Sequence, residues 1–490
     1  VLKRMVFLLL LLIIGLAEPG MASSTDDMQY VEVYVRQKDG ATEIVSSGRI
    51  SQTQILVPAF IFPTHIAPGT SSFDEKSGRL KLAVSKPDWQ LETAKLDANL
   101  KSGVTLNFLA TLHENEYFVN IKNMEKILGI RLRHDQEAGR LYIERGASFA
   151  DKQLNKVRPA WSPKGKLNLV WDYIPRFSPD LTKQATISGL DVISPTWFSI
   201  SADGRLLINN ANLKYVQDAH AKGYKVWPLF KNGDFDPDLT KEFLASETMQ
   251  DLIISQLLVY TALYDLDGIN IDFEDVYEED RDRLTGFVKR LADALREQNV
   301  ISSVDVTVPG PSPNWSKCYD RKGLAQAVDY VMVMTYDEHW GASPVAGPVS
   351  SLGWVDRNLD LIINNYIPRE KLVMGIPFYT REWRETIDEH GKVKVRSKAY
   401  GMDDIQKTLE EHNLKPIWLD DKGLFYTEYK KDGSLYRIWL EDEKSIAKKA
   451  ALVKKYDLAG AASWRKGFEA PHIWPVLEKE LKAKPKVSKK

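Results

Sequence analysis

Eight short apolar segments recur between residues 166 and 464, with helix-patterned stretches between them. They read KLNLVWDYI (166–174), DVISPTWFSI (191–200), YKVWPLF (224–230), LDGINIDFE (266–274), SSVDVTVPG (302–310), YVMVMTY (330–336), KLVMGIPFY (371–379) and LAGAASW (458–464). Short runs rich in Val, Ile and aromatic residues read as strands. The clearest intervening helix is DRLTGFVKRLADALREQ (282–298), where Leu284, Phe287, Val288, Leu291 and Leu295 form one apolar stripe. Eight such alternations predict an α/β fold, a (β/α)8 TIM barrel over 166–478. The stretch from 380 to 457 is too long for one helix, and GLFYTEY and SLYRIWLED within it read as a hairpin. An α+β insertion is therefore expected at about 384–445, between strand seven and helix eight.

A chain of 490 residues leaves room for more than a barrel. Residues 30–146 contain an echo: FDEKSGRLKL (73–82) matches HDQEAGRLYI (134–143) in spacing and chemistry. Each copy reads as an acidic turn with a glycine followed by an alternating strand. IKNMEKILGI (121–130) has helical spacing, so a small α+β module of two related halves is expected. It resembles the module named for the N-terminal domain of copper amine oxidases, which implies a wall-attachment or spacer role. His65, His113 and His134 show no ligand spacing, so no copper is expected. Residues 147–165, polar with two prolines, read as a linker, and 479–490 as a basic tail.

Lys3 and Arg4 precede the apolar run MVFLLLLLIIGLA, followed by small residues at Gly20 and Ala22. That is the layout of a signal peptide over 1–22, with cleavage after Ala22; an uncleaved anchor is the alternative. A secreted or wall-associated protein is expected. Formal net charge is −1 and no basic stripe with interleaved aromatics occurs, which disfavours nucleic acid as a partner. The lone Cys318 has no pattern of His and Asn or Asp partners and reads as structural.

In LDGINIDFE, Ile269, Ile271 and Phe273 alternate with Asn270, Asp272 and Glu274. The apolar set faces the barrel helices and the polar set faces inward, rising toward the C-terminal end where barrel enzymes keep their chemistry. Two acids so placed are costly to bury without partners or a function.

DGINIDFE resembles the strand-four signature D-G-x-x-x-D-x-E of family 18 glycoside hydrolases, which include chitinases. MTYD (334–337) ending strand six, Ser463-Trp464 ending strand eight, and the insertion fall where that family has them. With MTYDEHWGASPVAGPVSSLGW, the segment is most similar to the spore-cortex-lytic and germination branch. The resemblance implies an exported, retaining hydrolase of β-1,4 N-acetylglucosaminyl bonds in peptidoglycan or spore cortex. Its nucleophile is the substrate's own acetamido oxygen. Glu274 would be the acid and then the base, Asp272 would orient the acetamide, and Tyr336 would hydrogen-bond its oxygen. Asn270, Met334, Asp337 and Trp464 would bind the sugar. No cofactor, metal or obligate protein partner is implied. A chitinase is the alternative, and a sugar-binding lectin on an inactive barrel the more distant one; the presence of Glu274 disfavours the lectin.

The family's chitinases usually carry Asp where this chain has Asn270. Losing that neighbour should let Asp272 ionise more readily, with activity persisting at lower pH. Trp171, Trp197, Trp227, Trp340, Trp354 and Trp383 are further sugar-stacking candidates, none chosen over core packing.

Overall fold

The computed structural model describes residues 28–36, 42–84, 104–145 and 160–482. The segments expected as a signal peptide, most of the linker and the end of the basic tail lie outside the described residues.

The eight segments form strands paired in parallel. The first is Leu167–Asp172. The second is interrupted, as Val192–Pro195 and Phe198–Ile200, and so is the third, as Lys225–Val226 and Leu229–Lys231. Gly268–Asp272, Ile301–Thr307, Tyr330–Met334, Leu372–Pro377 and Gly460–Trp464 follow. Each pairs with the next, and Leu169 of the first strand lies beside Ala462 of the eighth, so the sheet curls back on itself. This is a TIM-barrel-like α/β fold. Proline at 195 and 228 accounts for part of the two interruptions, since it cannot donate to a ladder.

Two separate apolar clusters follow from this geometry. Leu167, Leu169, Trp171, Trp227, Leu229, Met332 and Val373 fill the barrel interior. Gly268 is required there: a Cβ would lie 2.6 Å from the Trp227 ring. Ile269, Ile271 and Phe273 belong to the outer cluster instead. The Phe273 ring packs at 5.1 Å from Phe230 and 5.6 Å from Phe287 of the helix Arg281–Arg296.

Residues 379–440 follow strand seven as a five-stranded antiparallel sheet, with helix Met402–Glu411 laid on it through Ile405 and Leu409. A buried ion pair ties this sheet to the barrel. Lys449, on helix Glu443–Lys455, donates to both Glu441 oxygens at 2.8 and 2.7 Å, and Ser445 donates to Glu441 at 2.8 Å.

The two echoing segments form matching hairpins, Ser71–Asp74 with Arg79–Val84 and Ile130–Asp135 with Arg140–Arg145. The glycine at the same place in each, Gly78 and Gly139, has φ of 64° and 63°. The helix expected from IKNMEKILGI is only Glu125–Leu128; Gly129 in the left-handed region ends it.

This N-terminal part packs directly on the barrel. Helix Glu247–Tyr264 is apolar on nearly every side and buried almost all round, because the barrel covers one face and the N-terminal strands the other. The Tyr260 hydroxyl sits 2.7 Å from the Asn107 amide nitrogen and donates to the Asn107 carbonyl at 3.0 Å. Asn209 donates to the same carbonyl, and Arg79 to the Asn209 carbonyl and the Asn210 side chain.

Candidate active site

The fourth strand ends at Asp272, and the chain runs on through Phe273 and Glu274 into a loop. Asn232 fixes Glu274 from below: its Oδ1 accepts from the Glu274 N–H at 3.0 Å and its Nδ2 donates to the Glu274 carbonyl at 2.8 Å. Tyr319 donates to the Phe273 carbonyl at 2.8 Å, and Asn314 donates to Asp275 at 3.0 Å. The carboxyl of Glu274 is thus carried on a backbone held from three sides.

A cavity of about 290 Å³ opens here, lined by Asp272, Glu274, Asp305, Tyr336, Asp337 and Trp464, with Trp171 and Met334 also on its wall. The insertion supplies one side through Tyr379 and Arg381. The Tyr379 hydroxyl donates to Asp337 at 2.7 Å and Arg381 reaches the same oxygen at 3.3 Å. A second cavity of about 550 Å³ shares Glu274, Met334, Tyr336 and Asp337 with the first and continues over Trp315, Trp340 and Trp354. Glu274 therefore stands between a pocket that gathers several carboxyls and an aromatic one. Of the other candidate tryptophans, Trp197, Trp227 and Trp383 are core residues.

Asn270, expected at the sugar, is placed away from the cavity instead. It is fully buried, off the cavity wall, and both ends of its amide are engaged. Its Oδ1 accepts from the Trp171 indole at 2.7 Å, and its Nδ2 donates to Asp305 at 2.7 Å and Ser303 at 3.1 Å.

Burial dominates the electrostatics. It pushes the Asp272 carboxyl up to about 7, with Lys231 pulling the other way. Burial, then the charges of Asp272, Asp337 and Asp275, hold Glu274 well above the ordinary carboxylate range. Asp305 is raised by burial and by Asp272, against the hydrogen bond from Asn270. The expected easier ionisation of Asp272 is not found, because burial outweighs the loss of an acidic neighbour at position 270.

The folded state thus holds the Asp272 proton up to about pH 7, while an unfolded chain releases it near 4. Stability falls as pH rises through that window and is flat above it. Asp272→Asn should therefore stabilise the fold at pH 8 by on the order of 1–3 kcal/mol, with the difference from wild type vanishing at pH 4. Thermal melts at both pH values measure this; equal differences at the two would contradict it.

Of the residues singled out in the sequence, Asp272, Glu274, Tyr336, Met334, Asp337 and Trp464 line one pocket. Asp305, Tyr379, Arg381 and Asn232 were not anticipated. Asp305 had a signal: in SSVDVTVPG, Ser303, Asp305 and Thr307 alternate with Val304 and Val306, the same pattern as LDGINIDFE. Tyr379 and Arg381 had none, since they come from the insertion.

The model of the glycosyl hydrolases family 18 matches residues 182–468, more than half of the chain and all the acidic strand ends described above. The chain belongs to glycosyl hydrolases family 18. Like other members of family 18 it is a glycosidase. Glycosylase YvbX of Bacillus subtilis (strain 168) is 28% identical over 313 residues, 62% of this chain and 87% of YvbX. The cortical fragment-lytic enzyme of Bacillus anthracis is 27% identical over 348 residues, 69% of this chain and 76% of that enzyme. The fold is also that of the Bacillus megaterium QM B1551 spore cortex-lytic enzyme SleL, with TM-score 0.58 and 21% identity, covering 68% of this chain and 77% of SleL. Among the described residues, no helix is long and apolar enough to cross a membrane.

Proposed function

We propose that this family 18 enzyme hydrolyses β-1,4 N-acetylglucosaminyl linkages, with the substrate's acetamido group as nucleophile. The observation that carries the reading is the position of Glu274, one raised carboxyl between two cavities with Asp272 behind it on the same strand face. The carboxyl-lined pocket takes the N-acetylated sugar, with Trp464 beneath the sugar's apolar face. Asp272 orients the acetamide N–H, and Tyr336, half-buried and kept protonated by desolvation, donates to the acetamide oxygen. Glu274 protonates the glycosidic oxygen. The acetamide oxygen closes on C1 as the bond to the leaving oxygen breaks; water then attacks C1 and gives its proton to Glu274, and the ring re-opens with net retention. Asp337, braced by Tyr379 and Arg381, positions the sugar. The aromatic cavity takes the leaving-group side.

The similarity to cortical fragment-lytic and cortex-lytic enzymes favours peptidoglycan, including spore cortex, as the polymer. Export by the N-terminal segment, and an N-terminal module at 30–146 that places a catalytic barrel at 166–478 against the wall, belong to the same reading. Chitin is the second candidate, because the chain is also 28% identical over 268 residues to the di-N-acetylchitobiase of Rattus norvegicus. Mass spectrometry of soluble products from cortex peptidoglycan and from chitin oligomers separates the two. Fragments ending in reducing N-acetylglucosamine from peptidoglycan are expected; products from chitin alone move the reading to a chitinase, and none from either overturns it.

A further inference from the structure

Asp305 lies on the cavity wall, on the strand beside Asp272, and no step described so far uses it. The register of strands four and five pairs Asn270 with Ser303 and Ile271 with Val304. Asp272 and Asp305 are next in that register, both inward, on strands that run about 4.8 Å apart. Asp305 is 2% exposed and Asp272 7%, so neither carboxyl is hydrated as it would be in water.

The hydrogen bonds around Asn270 assign the protons on Asp305. The Trp171 indole can only donate, so the Asn270 atom facing it is the oxygen. The nitrogen then faces Asp305 and can only donate, so the contacted oxygen, Oδ1, is an acceptor. The other oxygen, Oδ2, is the one left to carry a proton. Trp171, Asn270 and Asp305 thus form a chain with one fixed direction, ending on a carboxyl beside Asp272. Asp272 in turn has a buried oxygen, Oδ1, with no hydrogen-bond partner among the described residues. The charged and titratable groups facing this pair are Glu274 just past strand four, Lys231 on strand three, Tyr336 just past strand six and Tyr319 after strand five.

We propose that Asp305 is a positioning residue for the hydrolysis, holding the proton that Asp272 must release as positive charge develops on the substrate. The inference rests on the function proposed above. When Glu274 gives its proton to the glycosidic oxygen, the C1–O bond breaks and the acetamide oxygen bonds to C1, leaving a cationic ring. Asp272 stabilises that ring's N–H best as an anion, and its proton passes to Asp305. Water then attacks C1, its proton goes to Glu274, the ring opens, and the proton on Asp305 returns to Asp272. The pair carries one proton and one negative charge before and after. Asn270, by donating to Oδ1, stabilises the Asp305 carboxylate when Asp272 holds the proton and leaves Oδ2 as the atom that takes it. The second carboxylate has thus moved from strand four to strand five.

The test is to move it back. On an N-acetylglucosamine oligomer, Asp305→Asn should lower kcat about 100-fold, leave KM within about threefold, and shift the pH–kcat profile. Asn270→Asp combined with Asp305→Asn should recover at least about tenfold of that loss, because the carboxylate again stands beside Asp272. The swap also keeps an amide–carboxylate hydrogen bond between the two positions and an acceptor for Trp171, so a purely structural role is told apart by the pH–kcat profile of Asp305→Asn, which it would leave unshifted. Asp305→Asn within threefold of wild type, or a double variant no better than Asp305→Asn, overturns the inference while leaving wild-type hydrolysis intact. A wild type inactive on every N-acetylglucosamine polymer overturns the function itself. A variant-free check is carboxyl 13C NMR of wild type labelled at aspartate. Two carbons titrating in two steps with shared midpoints are expected, and two independent single-step curves overturn the coupling.

Discussion

Glu274→Gln should lower kcat on N-acetylglucosamine polymers by about a thousandfold while leaving sugar binding within a few-fold of wild type. The amide has the shape of the carboxyl and its backbone stays clamped by Asn232, so the pocket survives. What is lost is a proton for the leaving oxygen and later a base for water. The loss should be much smaller on a nitrophenyl glycoside, whose leaving group departs without protonation. Rates on both substrates, with calorimetric binding of the product sugar, measure the three effects. Residual polymer hydrolysis within tenfold of wild type would transfer the acid's role to another carboxyl at the pocket, such as Asp337.

The largest expected effect on stability lies away from the pocket. Lys449 and Glu441 are both about 1% exposed and held by two short hydrogen bonds. Lys449→Met leaves Glu441 buried with only Ser445 as a side-chain donor, and should cost about 3–5 kcal/mol. Replacing both, with Glu441→Leu beside Lys449→Met, should cost far less, since no charge is then stranded. The single variant should recover as pH falls, because a protonated Glu441 no longer needs a cation; its carboxyl is already raised by burial. Denaturant unfolding of the single and double variants at two pH values reads this directly. Equal losses in both would contradict it. The pair also carries position: Glu441 follows the last strand of the inserted sheet, which holds Tyr379 and Arg381 against Asp337, so looser docking should also raise KM.

Much of the site was legible because a strand's period of two writes its two faces into the sequence. Ile269, Ile271 and Phe273 against Asn270, Asp272 and Glu274 gave the inward face and the catalytic end together. MTYD and Ser463-Trp464 were legible through likeness to a family. The role of Asn270 was not, because its meaning depends on Trp171 and Asp305, 99 and 35 residues away. Reading it as a missing acid was half the matter; the same alternation in SSVDVTVPG placed an acid on the next strand. The docking of the N-terminal strands on helix Glu247–Tyr264 had a trace too, in a helix apolar on nearly every side, a pattern that only a second covering layer explains.

The most direct test of substrate-assisted hydrolysis is to sequence, by mass spectrometry, the products released from partially N-acetylated glucosamine oligomers. An acetamido nucleophile requires every newly formed reducing end to be N-acetylglucosamine, whatever sugar stands on the leaving side. New reducing ends bearing free glucosamine, formed at comparable rate, would contradict the account, because cleavage would then proceed without the group assigned to attack C1.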